Sequence, residues 1–190
     1  PLSVFPPNVR PDNNHNYSII QIVSGCKILS QRKKPCGFCA SFGSVYHEYE
    51  VHQLDYHINC LLQTNPFIMK KANCVFLSDG DPLISKNIFE NMQYIRGKLP
   101  NIKSFESFIS TSTILNISED KWIKLKNSGL RKVYWGVESA DDSTLRIIDK
   151  PHNFSMLLMA KEKLEKYDIS YDMIIMCGIG LIQQEVREPN

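Results

Sequence analysis

The sequence predicts an α/β fold in which parallel strands form a partial, open (β/α) barrel. Short apolar segments alternate with amphipathic segments of helical periodicity, which is the chain order of βαβ units. The apolar segments after the first start near residues 74, 104, 132 and 170, which leaves room for a crossover helix between successive strands. The chain has 190 residues, whereas a closed eight-stranded barrel requires about 250. We therefore expect about five βα units in an open barrel rather than a closed one.

Each predicted strand is a compact run of β-branched, aromatic or other apolar residues, the composition that strands favour. The first, YSIIQIV, leads directly into Ser24-Gly25-Cys26. The last, SYDMIIM, is followed directly by Cys177-Gly178-Ile179-Gly180. The five predicted strands lie at residues 17–23, 74–78, 104–110, 132–137 and 170–176.

The intervals between these strands carry helical patterns. In the third predicted helix the first turn is acidic and Gly129 follows as a stop signal. Residues 1–16, rich in Pro and Asn, are interpreted as an extended lead-in, and residues 17–190 as the core domain, incomplete in its C-terminal part. The predicted helices lie at 49–63, 84–99, 118–128, 142–149 and 154–167.

The composition is that of a globular protein: 43% of the residues are hydrophobic and 22% are charged. A net charge of +2, from 22 Lys and Arg against 20 Asp and Glu, is too small to indicate a nucleic-acid-binding surface by itself. The longest uncharged runs are well short of the roughly 20 apolar residues that a membrane span needs. Because the N-terminus lacks the pattern of a signal peptide, we expect a reducing, cytoplasmic location without membrane association.

Three of the six cysteines, Cys26, Cys36 and Cys39, fall within fourteen residues on one loop. Three thiolates can hold a four-iron cluster by three of its irons, leaving the fourth iron open to another ligand. The same thiolates can instead hold a structural zinc ion with His47 or Cys60 as the fourth ligand. Spacing alone leaves both interpretations open. The remaining cysteines, Cys60, Cys74 and Cys177, have apolar neighbours and are predicted to be core thiols.

Polar and small residues follow the other predicted strands. In parallel α/β sheets ligands bind at the carboxyl ends of the strands, so these residues are candidates for a binding site. A carboxylate at a central strand end is costly to bury without a partner, and a ribose diol would be a suitable partner for Glu138. The hydroxyl cluster after the third strand either binds a ligand or caps the next segment. The candidates are Asp79, Gly80, Asp81, Ser110, Ser112, Glu138, Gly178 and Gly180.

Together these residues resemble the radical S-adenosylmethionine (radical SAM) superfamily, in the branch often described as Fe–S oxidoreductases. The resemblance runs from about residue 17 to residue 180. Phe38 is the aromatic residue commonly found before the last cysteine of the family's cluster motif. The stretch 79–82, Asp-Gly-Asp-Pro, falls where the family has a Gly-Gly-Glu-Pro turn that holds the amino group of the methionine part of S-adenosylmethionine. Glu138 resembles the acid that meets the ribose, and the turn 178–180 resembles the glycine turn near the adenine.

The resemblance implies an enzyme that binds a 4Fe-4S cluster through Cys26, Cys36 and Cys39 and binds S-adenosylmethionine at the strand-end residues. It implies reductive cleavage of S-adenosylmethionine to a 5′-deoxyadenosyl radical that abstracts hydrogen from a substrate. A one-electron donor of the ferredoxin or flavodoxin type is the expected partner. The sequence does not indicate the substrate. The two alternatives are a non-catalytic zinc-binding α/β interaction module and a member of the fold without turnover.

Two features depart from the family's common pattern. The first gap of the cysteine motif holds nine residues instead of three and includes the basic stretch 31–34, Gln-Arg-Lys-Lys. We interpret this stretch as a solvated loop rather than as a contact for an acidic partner or nucleic acid, although neither partner is excluded. The family's core also has six βα units, whereas five are visible here. We therefore expect one edge of the barrel to be open.

Overall fold

The computed structural model describes residues 17–32, 34–39 and 45–179. Its strands are β1 Tyr17–Gln21, β2 Val23–Ser24, β3 His47–Glu48, β4 Cys74–Ser78, β5 Ser104–Ile109, β6 Leu130–Glu138 and β7 Ser170–Ile175. Its helices are α1 Lys27–Arg32, α2 Val51–Thr64, α3 Pro66–Lys71, α4 Ile88–Lys98, α5 Thr111–Asn116, α6 Glu119–Asn127, α7 Asp142–Ile147 and α8 Phe154–Lys166. A short 3-10 turn, Pro82–Ile84, precedes α4. The predicted lead-in, residues 1–16, lies outside the described residues.

Five of the strands form one parallel sheet in the order β1-β4-β5-β6-β7. This confirms the predicted α/β fold and the five parallel strands. Helices follow β4, β5 and β6 before the chain returns to the sheet, as βαβ crossovers require. All five carboxyl ends therefore lie along one edge of the sheet, and the residues that follow them are brought together there.

The first predicted strand is divided in two, which the apolar run 17–23 did not indicate. β1 ends at Gln21, and β2 leaves the sheet to pair in antiparallel fashion with β3. The Tyr49 amide donates to the Ile22 carbonyl at 3.1 Å, which holds the chain at the point of departure. As a result, the loop that begins at Gly25 and Cys26 is directed across the carboxyl edge of the sheet.

The main hydrophobic core lies between one face of the sheet and the helices. In β5, Phe105 and Ile109 point into this core, while Glu106 and Phe108 alternate onto the opposite face. Two fully buried tryptophans, Trp122 of α6 and Trp135 of β6, are part of the core. None of the helices in the described ranges is long and apolar enough to span a membrane.

Candidate functional site at the carboxyl edge of the sheet

The loop that carries the three cysteines lies at the carboxyl edge of the sheet. Cys26 directly precedes α1, and Cys36 and Cys39 lie on one turn in which the Cys39 amide donates to the Cys36 carbonyl at 3.0 Å. All three are half-buried and none forms a disulfide. Burial raises the pKa of the Cys36 thiol, Lys150 opposes this shift, and the charges of Cys39 and Cys26 add to it. Cys36 is therefore within electrostatic reach of both other thiols.

The turn after β4 packs directly against the start of this loop. A Cβ atom at Gly80 would lie 2.1 Å from the Gly25 carbonyl oxygen and 3.3 Å from the Cα atom of Cys26. The Gly80 φ angle of +25° is also one that side-chain-bearing residues rarely adopt. Only glycine fits at this position. Because Gly80 has no side chain, the turn after β4 can approach Cys26 closely.

Asp79 and Asp81, on either side of Gly80, have different environments. Asp79 has a left-handed backbone (φ 76°), and its carboxylate accepts from the Gly80 amide at 2.8 Å and from the Gln21 side chain at 3.1 Å. These contacts stabilise the turn itself. Asp81 is 2% exposed, and its Oδ2 accepts from the Ser110 amide at 3.0 Å.

The other carboxylate oxygen of Asp81, Oδ1, is buried and has no hydrogen-bond partner within the described part of the chain. Burial raises the pKa of Asp81, and the neighbouring Thr113 and Ser110 hydroxyls oppose this shift. Buried carboxylate oxygens are normally satisfied, because removing them from water without a partner is costly. Asp81 therefore has the properties of a group that binds a donor or a cation.

Ser110 and Ser112 lie at the start of α5 beside Asp81. The Ser110 hydroxyl accepts from the Thr113 amide at 3.1 Å and caps the helix. It also lies 3.1 Å from the Thr113 hydroxyl and 3.3 Å from that of Ser112. Of the two roles that the sequence left open, the Ser110 hydroxyl adopts the capping role, and its backbone amide contributes to the site by binding Asp81.

Glu138, at the end of β6, lies in the same region and is paired with a lysine. Its Oε1 is 3.0 Å from the Lys150 Nζ, and both side chains are largely buried, at 8% and 13% exposure. The Lys150 Nζ is also 5.3 Å from the centre of the Phe38 ring and acts on the Cys36 thiol. Lys150 therefore connects the acid at the end of β6 with the cysteine loop.

The described residues of the basic stretch 31–34 are exposed to solvent, as predicted, although Gln31 and Arg32 form the end of α1 rather than part of a loop. Arg32, at the end of α1, donates to the Asp149 carbonyl at 2.8 Å, and the Lys34 Nζ lies 2.8 Å from the Asp149 carboxylate. The Gly37 amide donates to the Ile148 carbonyl at 2.8 Å. These contacts attach the cysteine loop to the segment after α7. Lys33 lies outside the described residues.

The end of β7 completes this edge of the sheet. The Met176 amide donates to the Glu138 carbonyl at 2.9 Å, so the turn that follows starts beside Glu138. Gly178 has a left-handed backbone (φ 79°) and open space where a Cβ would lie. Gly180 lies outside the described residues. Cys177 is exposed and Cys60 is half-buried, so the prediction of core thiols holds only for the buried Cys74.

The zinc interpretation required a fourth ligand close to the three thiols. His47 is exposed, and its ring packs edge-on against Tyr49 with 5.0 Å between the ring centres. Zinc ligands lie about 2.0–2.3 Å from the ion. Among the described residues, which include Cys26, Cys36 and Cys39, no three His, Cys, Asp or Glu side chains are gathered closely enough to hold a metal ion, and this applies equally to the zinc and the cluster interpretations.

Two contributors to this region, Lys150 and His152, are not marked by a motif in the sequence. A lysine such as Lys150 is common after the end of a helix, where it balances the helix dipole, and His152 is one of five histidines dispersed along the chain. His152 is 8% exposed, and its Nε2 lies 3.2 Å from the Val137 carbonyl. The one sequence feature that could have indicated a role for them is their position, two residues apart, in the segment that follows α7.

Comparisons with known proteins agree with this architecture. Residues 20–188 match the Radical SAM superfamily. The chain therefore belongs to the radical SAM superfamily, whose members use a 4Fe-4S cluster together with S-adenosylmethionine.

Individual relatives are more distant. The chain is 22% identical over 151 residues to the heme chaperone HemW of Buchnera aphidicola subsp. Schizaphis graminum, covering 77% of this chain and 40% of that protein. The structure of HydG, a maturase of the [FeFe]-hydrogenase, matches with a TM-score of 0.62 and 14% identity over 86% of this chain and 35% of that one. The cobalamin-dependent radical enzyme OxsB matches with a TM-score of 0.59 and 13% identity, covering 87% of this chain and 25% of that one. At these identities the structural matches establish the fold, and the chain spans less than half of each of these proteins.

Proposed function

We propose that this chain forms the cofactor-binding core of a radical SAM enzyme. In this proposal Cys26, Cys36 and Cys39 hold a 4Fe-4S cluster, and the carboxyl edge of the sheet holds S-adenosylmethionine. The observation that carries the proposal is the unpaired buried oxygen of Asp81, on a turn that touches the cysteine loop. The amino group of an amino acid is a cationic donor, and it would supply the interaction that this oxygen lacks.

The residues on the loop have the chemistry that such a cluster requires. Cysteine thiolates are the usual ligands of iron–sulfur clusters, and three of them leave one iron without a protein ligand. The Lys150 ammonium near Cys36 favours the thiolate form, in opposition to burial. When bound, the cluster and S-adenosylmethionine together supply a 5′-deoxyadenosyl radical that abstracts hydrogen from a substrate.

The protein's own contribution is to bind, orient and desolvate. Asp81 binds the amino group, and the Ser110 amide holds the Asp81 carboxylate in place. Glu138 presents a carboxylate to the ribose hydroxyls, and Lys150 balances its charge when no ribose is bound. Gly80 allows the two binding turns to touch. Such positioning is the usual role of a protein whose cofactors carry the chemistry.

Reductive cleavage consumes one electron, so the proposal includes a one-electron donor of the ferredoxin or flavodoxin type. The contacts of Arg32 and Lys34 with Asp149 leave the Lys34 side chain 61% exposed beside the cysteine loop. Positive charge at this position favours approach of an acidic donor.

Anaerobic reconstitution with iron and sulfide tests the proposal. We expect about four irons per chain and an EPR signal of the reduced protein that shifts when S-adenosylmethionine is added. Under strong reductant, 5′-deoxyadenosine should accumulate. Cys36→Ala should lose the iron, whereas Cys60→Ala, a half-buried cysteine on α2, should retain it.

Three outcomes would contradict the proposal. Tight binding of about one zinc per chain without cluster assembly would favour the non-catalytic zinc-binding module. A cluster whose EPR signal ignores S-adenosylmethionine would show that the carboxyl edge does not bind this cofactor. A protein that assembles the cluster and binds S-adenosylmethionine but releases no 5′-deoxyadenosine would retain the fold without turnover.

A further inference from the structure

The backbone at Glu138 has a conformation that glutamate rarely adopts. Its φ angle is +63°, in the left-handed region that costs non-glycine residues free energy. The Ser139 amide donates to the Val137 carbonyl at 2.8 Å, which closes a three-residue turn around Glu138. Such a conformation persists only where surrounding contacts hold it. These contacts decide where the Glu138 carboxylate is placed.

His152 provides one of these contacts. Its Nε2 is 3.2 Å from the Val137 carbonyl, the same oxygen that closes the turn. Because a carbonyl oxygen only accepts, Nε2 must carry the proton in this contact. The ring is 8% exposed, and the next residue, Asn153, caps α8 by accepting from the Met156 amide at 2.9 Å. The imidazole is therefore fixed by the start of a long helix.

The segment that contains His152 contacts the turn from two sides. Lys150 pairs with the Glu138 carboxylate at 3.0 Å, while His152 binds the backbone before Glu138. The Glu138 carbonyl is held separately by the Met176 amide at 2.9 Å. Lys150 therefore acts on the Glu138 side chain through an ion pair. His152 instead acts on the backbone of the turn, through its hydrogen bond with the Val137 carbonyl.

We infer that His152 is a positioning residue that holds the left-handed turn at Glu138 and so directs the Glu138 carboxylate into the cofactor site. The inference rests on the proposed function, in which Glu138 binds S-adenosylmethionine. His152 does not contact the cofactor in this arrangement. Its loss leaves the cysteine loop in place but weakens the binding that depends on Glu138.

Two substitutions at this position separate the hydrogen bond from the volume of the ring. His152→Phe keeps a planar ring and removes the donor, whereas His152→Gln keeps an N–H donor of similar reach. The matched control is His52→Phe, because the His52 side chain is 75% exposed on α2. The measurements are the S-adenosylmethionine Kd of the reconstituted protein, its iron content and its thermal unfolding.

We expect His152→Phe to raise the Kd about fivefold, since one hydrogen bond is lost and the Val137 carbonyl keeps its bond from Ser139. His152→Gln should restore most of the affinity. Iron content should remain that of the wild type in both variants and in His52→Phe. In the wild-type protein without cofactors, the imidazole ¹⁵N shifts of His152 should show the neutral tautomer protonated at Nε2.

Each other outcome overturns the inference. Wild-type affinity in a folded His152→Phe protein would show that the turn holds without the imidazole. Joint loss of iron and thermal stability in both variants would assign His152 a general structural role. Protonation at Nδ1 instead of Nε2 would remove the hydrogen bond on which the inference depends. If the wild-type protein holds iron but ignores S-adenosylmethionine, the proposed function fails first, and the tautomer measurement still reports on the hydrogen bond.

Discussion

Two acidic residues, Asp81 and Glu106, are almost fully buried, but Asp81 follows the carboxyl end of β4 whereas Glu106 lies in the first half of β5, and their surroundings differ. Glu106 is 0% exposed, and both of its carboxylate oxygens are satisfied. The Tyr17 hydroxyl donates to Oε1 at 2.7 Å, Arg131 pairs with the same oxygen, and the Tyr134 hydroxyl donates to Oε2 at 3.1 Å. Asp81 has one bonded oxygen and one without a partner among the described residues. The hydrogen-bonding capacity of both Glu106 oxygens is thus met within the protein, whereas that of one Asp81 oxygen is not.

This comparison separates a buried carboxylate that the protein stabilises by itself from one that requires a ligand for its second oxygen. A buried carboxylate surrounded by donors and a guanidinium has its desolvation offset within the protein. A buried carboxylate with an unpaired oxygen leaves part of that cost uncompensated until a ligand binds. The four predictions below test this distinction in order of decreasing effect.

The largest effect is expected at the turn that carries Asp81. Gly80→Ala should lower the free energy of unfolding by about 3 kcal/mol and reduce iron retention, because the new methyl group would overlap the Gly25 carbonyl, part of a backbone that cannot easily move. Urea unfolding and iron analysis of the reconstituted protein measure both effects. The matched control is Gly97→Ala in α4, where nothing lies within 4 Å of the new methyl group. Alanine should stabilise that helix by about 0.5–1 kcal/mol. Equal behaviour of the two variants would contradict the contact between the turns.

A paired substitution tests the comparison directly. Glu106→Gln should lower the free energy of unfolding by about 2 kcal/mol, since it removes the charge that Arg131 and two tyrosines share. Asp81→Asn should raise it by about 1 kcal/mol in the absence of cofactors, because the buried charge is removed while an acceptor for the Ser110 amide remains. The same Asp81 variant should weaken S-adenosylmethionine binding about a hundredfold, through loss of a charge-assisted contact. A destabilised Asp81→Asn protein with unchanged affinity would contradict the distinction.

Sequence reasoning located Asp81 but not its unpaired oxygen, and it did not find the Glu106 cluster. The apolar runs and the spacing of the predicted strands were sufficient for the parallel sheet, because period and length alone predict strands and crossovers. Residues at the strand ends were predicted to gather for the same reason. The network around Glu106 joins residues 17, 106, 131 and 134 across three strands, and such pairing depends on register, which no local pattern encodes. The split of the first strand likewise depends on the distant β3.

His152 extends the comparison to a buried group that is uncharged. Burial lowers its pKa to about 4, and Lys150 adds to this shift. In the unfolded chain the pKa is about 6.5, so the unfolded state binds the additional proton as the pH falls below that value. The contribution of His152 to stability is therefore present above pH 6.5 and decreases as the pH falls towards 4. We expect the wild-type protein to lose about 1.5 kcal/mol more than His152→Gln between pH 7 and pH 5. Urea unfolding of both proteins at the two pH values measures the difference, and parallel losses would contradict a neutral buried imidazole.

The smallest effect is expected where charge is exposed. Lys34 and Asp149 form an ion pair at 2.8 Å with side-chain exposures of 61% and 33%, and pairs of this kind contribute little to stability. Lys34→Ala should therefore change the free energy of unfolding by less than about 0.5 kcal/mol. Iron retention should also be unchanged, because the Gly37 amide and Arg32 still attach the cysteine loop to Ile148 and Asp149. Urea unfolding and iron analysis at low and high salt test this. The contrary result would be a loss of iron that increases with salt in the wild type and is already complete in Lys34→Ala. It would mean that the ion pair between Lys34 and Asp149 holds the cysteine loop in place. Surface charge would then be as important for the site as the buried charge of Asp81.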